Sequence, residues 1–169
     1  MPLNAVLYGT RRPHRSALEL PSPVVKRSLI RKLARPRSLD SLGAIYAGTT
    51  LRYPKPFEAL CLSHSWENAE VGEVELADNP AADDLVVLAK SVRYDRLLWE
   101  FLVSEGYLIV GRMSGGRYDP CAFNLRGARE NRGSIVRVNH EEILSFERLG
   151  RPTPIAPSVE TFLLEGGVA

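Results

Sequence analysis

The chain has only two cysteines, Cys61 and Cys121, far apart and in no CxxC pair. That excludes a multi-cysteine zinc site and a dense disulfide framework. Both are read as buried thiols in a reducing cytosol, with a single Cys61–Cys121 bridge as the alternative. No apolar run approaches the roughly 20 residues needed to span a bilayer, and the N-terminus lacks the apolar core of a secretory signal. A cytoplasmic chain with no membrane partner is the expectation. The two cysteines need not act as staples, because 169 residues with 44% hydrophobic and 25% charged side chains can bury an adequate core in one domain.

Motifs that carry chemistry are equally scarce. His140-Glu141-Glu142 is not a metalloprotease sequence, since the second histidine at i+4 is replaced by Leu144. His14 and His64 have no ligand spacing. Ser63, Ser65 and Ser114 lack the GxSxG elbow, and Cys121 falls inside an expected strand. The glycines of Gly111 to Gly116 lie between two strands, whereas a phosphate cradle needs a helix N-terminus behind it. No catalytic residue, metal or cofactor is therefore expected.

What the sequence does have is an uneven charge. Its first 42 residues hold nine Lys and Arg against Glu19 and Asp40, a net of +7, so the overall +2 leaves −5 for the rest. Residues 1–42 read as a basic, proline-containing arm, partly disordered or forming a short helix between Val24 and Arg35, where Val25, Leu29, Ile30 and Leu33 share a stripe. Such an arm suits a tail or helix resting on the acidic body, and alternatively nucleic acid or an anionic surface. Its Arg-rich composition also resembles an organellar transit peptide.

Residues 43–169 read as one α+β domain. A helix is expected over Phe57 to Leu62, and one strand over Ala69 to Leu76 with a bulge at Gly72. A helix capped by Asp83 or Asp84 should run to Val92, and a second, with Leu97, Leu98, Phe101 and Leu102 inward, should end at Gly106. Then comes a meander: Tyr107 to Val110, a turn over Met113 to Gly116, a return strand over Arg117 to Leu125, and Ser134 to Val138. Pro120 marks a strand start or a bulge. Pro152, Pro154 and Pro157 lead to a closing helix over Ser158 to Leu164. His140 is read as bonding a strand-end backbone group, with Glu141 and Glu142 solvated.

The string GYLIVGRMSGGRYDPCAFNL, a polar loop, and SIVRVNHEE resemble the hairpin, third strand and acidic turn of the SUKH superfamily of cell-wall-synthesis regulators and bacterial immunity proteins. Upstream YPKPFEALCL is similar to its proline-plus-helix element, and downstream IAPSVETFLL to its closing helix. His64-Ser65-Trp66-Glu67 departs from the Asn-Gly pair of many relatives. The resemblance implies a central antiparallel sheet flanked by helices and a non-catalytic, immunity-type role in which the chain neutralises a toxin by binding it. A basic toxin domain would be steered by Glu70, Glu73, Glu75, Glu141 and Glu142. The candidate contacts are Trp66, Tyr118, Asp119, His140, Glu141 and Glu142.

Overall fold

Proline and glycine set the boundaries of the elements that carry the site. In the computed structural model, which describes residues 30–82, 84–126 and 133–165, Pro54 and Pro56 start a helix, α2 (Lys55–Ser63). Their fixed φ suits a first turn, where an N–H has no intrahelical partner. Before it lie a strand, β1 (Arg31–Lys32), and a short helix, α1 (Leu42–Tyr46). Of the helix expected over Val24 to Arg35, residues 24–29 lie outside the described residues. Arg31 and Lys32 are not helical: they pair antiparallel with Ser65 and His64 in β2 (His64–Ser65).

One side chain adds to this backbone pairing in holding the basic segment there. Arg37 donates through Nη1 to the carbonyls of Cys61 (2.7 Å) and His64 (3.0 Å) and through Nη2 to that of Pro80 (2.6 Å). A guanidinium at the C-terminal end of α2 satisfies carbonyls that have no helical partner and complements the helix dipole.

The expected strand over Ala69 to Leu76 is two strands, β3 (Glu70–Val71) and β4 (Val74–Leu76), folded into a hairpin with Val71 opposite Val74. Gly72 sits at φ 59° in the two-residue turn, and that left-handed conformation converts the expected bulge into a reversal. Next come α3 (Val86–Val92) and α4 (Arg96–Ser104). Of the two expected caps, Asp83 lies outside the described residues and Asp84 does not cap α3. Its cap position is Leu85, at φ 64° and without a side-chain cap bond. Asp95 does cap α4, accepting from the Leu98 N–H at 3.0 Å. That phase buries Leu98, Trp99 and Leu102, and leaves Leu97, expected inside, 68% exposed.

The rest of the sheet is β5 (Tyr107–Met113), β6 (Pro120–Asn124), β7 (Ser134–Arg137) and β8 (Thr153–Ala156), with α5 (His140–Phe146) and α6 (Val159–Glu165) between and after the last two strands. Strands β3 to β8 form a six-stranded sheet in chain order, every neighbouring pair antiparallel. This is the expected α+β architecture with a central antiparallel meander. Pro120 begins β6, as its missing N–H dictates. Two of these elements, β8 and α5, were not expected. Strand β8 carries Pro154, which is tolerated because β8 is an edge. Helix α5 forms because Asn139 accepts from the N–H groups of Glu141 (2.9 Å) and Glu142 (3.3 Å).

One face of the sheet carries Phe123, against which Tyr53 and Phe57 stack edge-on or tilted at 5.6 and 5.0 Å. Helix α6 packs on α2 and reaches β3, β7 and β8, so the sheet curls around it, with Phe162 buried between. The opposite face meets α3 and α4. Burial on both faces explains why Tyr107 to Val110 reads as an unbroken apolar run. Among the described residues, no helix is long and apolar enough to cross a membrane.

Candidate functional site

An irregularity in β5 shapes the face toward α3 and α4. Ile109 pairs with Ala122 and Arg112 with Pro120, with a register shift between Ile109 and Gly111. Ala122 and Pro120 share a face, so Ile109 and Arg112 do too, although they lie three positions apart. The extra residue in β5 therefore turns Arg112 onto the face where its cross-strand neighbour Glu75 stands. The two form a bidentate pair, with Nη2 to Oε1 at 2.8 Å and Nε to Oε2 at 3.2 Å. Gly111 makes the close approach possible, since a Cβ there would lie 2.2 Å from the Glu75 carbonyl oxygen.

Between this face and the α3–α4 junction is a groove of about 450 Å³. Its apolar lining comes from Leu76, Val92, Leu98, Ile109 and Pro120. Glu75, Asp78, Asp95 and Arg112 supply its charges, and Tyr94, Tyr118 and His140 its remaining rings. Tyr94 is 94% exposed and Tyr118 70%. Asp78 holds the Asn68 N–H through Oδ1 at 2.8 Å, as Asp95 holds that of Leu98, so backbone fixes both carboxylates.

The turn between β5 and β6 and the start of α5 meet at one end. Asp119 Oδ1 accepts from the His140 backbone N–H at 3.2 Å and lies 2.9 Å from Nδ1 of its ring. Arg137 Nε is 3.7 Å from Oδ2. Burial pushes the Asp119 carboxyl up, but the two His140 hydrogen bonds and the Arg137 charge outweigh it, and the group rests below its ordinary value. An ionised Asp119 only accepts, so the proton lies on Nδ1 of His140. The Tyr118 ring stands edge-on to His140 at 6.3 Å.

Four of the six residues proposed from sequence thus come together: Tyr118, Asp119 and His140 in this cluster, and Glu141 exposed on the first turn of α5. Glu142 is half-buried, 3.9 Å from Arg148. His140, expected to bond a strand-end backbone group, instead bonds the Asp119 side chain through both its backbone N–H and its ring. Trp66 stands apart. It is 2% exposed, donates through Nε1 to the Ala77 carbonyl at 2.7 Å, and exchanges backbone hydrogen bonds with Asn79 at 2.8 Å each. It ties α2 and β2 to the chain after β4 and offers no surface to a partner.

Tyr94, Asp78 and Asp95 were not singled out from sequence as site residues, and Leu97 was read as core. Asp95 three residues before Leu98 carries an N-cap signal. Placing the cap there selects the stripe of Leu98, Trp99 and Leu102 and leaves Leu97 as a surplus apolar residue on the outside. The thiols are both free and buried. Burial raises Cys121 to about 12 and Cys61 further, which removes the thiolate needed of a nucleophile. Ser63 Oγ lies 2.8 Å from His64 Nδ1 but donates to the Ala59 carbonyl at 2.6 Å, as a helix-end serine does. Among the described residues, no group of three or more His, Cys, Asp and Glu side chains is placed to hold a metal ion. No family model matches the chain, and no curated protein or solved structure matches it.

Proposed function

We propose that the chain is a non-catalytic protein-binding module of the SUKH kind, an immunity-type protein that neutralises a cognate basic toxin domain in the cytoplasm. One observation carries this reading: Tyr94 and Tyr118 stand exposed on the rim of a groove that also holds an excess of carboxylates. Exposed tyrosines beside a concave, apolar-floored surface are the composition of a protein-binding hot spot. The carboxylates give that surface a sign, which steers a basic partner and repels nucleic acid. The six-stranded meander and the closing helix agree with what the SUKH resemblance implies, and two buried thiols suit a reducing compartment.

The test is association with the basic domain of a toxin encoded beside this chain's gene, measured by calorimetry with wild type and Tyr118→Ala. Binding that weakens at least tenfold in the variant supports the reading. Binding to nucleic acid by the full chain, in place of a protein partner, would transfer the function to the basic arm, of which residues 1–29 lie outside the described residues.

A further inference from the structure

The groove has features that together restrict what can fill it. Its floor is apolar, so it favours a long aliphatic stem. Among its charged lining residues, Arg112 is committed to Glu75 across β4 and β5, and Asp78 and Asp95 leave the groove with a net negative charge. Both carboxylates are oriented in advance by backbone N–H groups, so an incoming cation meets placed acceptors. Tyr94 and Tyr118 add two aromatic rings at the opening, which attract a cation over their faces. A purely apolar occupant would strip water from Asp78 and Asp95 without replacing its hydrogen bonds. An anionic occupant would meet like charge.

We propose that this groove receives a cationic side chain, an arginine or lysine of the partner protein, with its stem on Val92, Leu98 and Ile109 and its charge between the aspartates and the tyrosine rings. This rests on the protein-binding reading above and names the chemistry by which that partner is recognised. The Asp119–His140 cluster lies at one end of the groove, and Arg112 enters as a fixed wall because Glu75 holds it. A volume of about 450 Å³ accommodates the side chain together with water.

The test is an NMR titration of the full 15N-labelled chain with acetyl-glycyl-arginyl-glycine amide, and with the same peptide carrying neutral citrulline for arginine. The arginine peptide should shift the backbone amides of Ala77, Tyr94, Gly111 and Arg112, and the citrulline peptide should bind at least fivefold more weakly. The double variant Asp78→Asn, Tyr94→Ala should also lose at least fivefold. Asparagine still accepts from the Asn68 N–H and Tyr94 is 94% exposed, so this variant keeps its fold, which an unchanged spectrum outside the groove verifies. Equal binding of both peptides, shifts centred on Glu141 and Glu142 instead, or no shifts at all would overturn the groove assignment. Any of these outcomes leaves the protein-binding reading standing, because toxin association and its Tyr118→Ala dependence are measured separately.

Discussion

Asp119 receives two hydrogen bonds from one residue, the backbone N–H and the ring Nδ1–H of His140, at 3.2 and 2.9 Å. The first holds the start of α5 to the turn before β6, and the second fixes the ring that faces the groove. A change at either residue therefore moves both the helix and the surface a partner meets.

The carboxyl of Asp119 is held below its ordinary value of 3.8. A depressed folded-state value contributes stability that is complete above 3.8 and is lost as pH falls below it toward the folded value. Asp119→Asn should cost about 1–2 kcal/mol at pH 7. The gap from wild type should close as pH falls below the usual carboxylate range, read from urea midpoints between pH 7 and pH 2.

Gly111→Ala should be severe for a residue that gains one methyl group. The Cβ would press on the Glu75 backbone 2.2 Å away, and β4 cannot yield without losing its ladder to β5. A loss of about 2–3 kcal/mol is expected from overpacking of this kind, seen as a lower denaturation midpoint with an unchanged slope. The NMR signals of the groove residues should shift in the same variant.

Trp66→Ala should lose about 3–5 kcal/mol, the cost of emptying a large core site. A Trp66→Phe chain should stay folded, less stable because the Nε1 bond to the Ala77 carbonyl is gone, and bind its partner with unchanged affinity. Thermal denaturation and calorimetry separate the two effects.

Residues 30–41 should count toward stability although they belong to the basic, proline-rich part of the sequence. Arg37→Ala removes three hydrogen bonds to the carbonyls of Cys61, His64 and Pro80 and should cost about 2–3 kcal/mol. A chain beginning at Leu42 should be less stable than one beginning at Ile30 by at least that amount, since it loses β1 as well.

Much of the sheet was legible because its signals are local. Pro120 marks the start of β6 and Gly106 the end of α4, and the alternation of Cys121 and Phe123 fixes a face. What escaped depends on pairing or phase. Gly72 reads equally as a bulge or a turn until Val71 is seen opposite Val74. Pro154 argues against a strand until that strand proves to be an edge. Leu97 and Trp99 exchange places when Asp95 sets the phase of α4. In the site, Tyr118, Asp119 and His140 were legible as strand-end polar residues. The aspartates and Tyr94 were not, because the groove joins positions 75–78, 91–98 and 109–120, which only the sheet register and the packing of α3 and α4 on β5 bring together.

Partner capture tests the central claim most directly. Full chain, a chain beginning at Ile30, and a full-length Tyr118→Ala, Glu141→Gln variant would each be used as bait in host lysate, with mass spectrometry and nucleic-acid detection of what is retained. One basic toxin domain, retained by the first two and lost from the variant, is the predicted result. Nucleic acid retained by the full chain alone, or a protein retained equally by all three, would contradict the account.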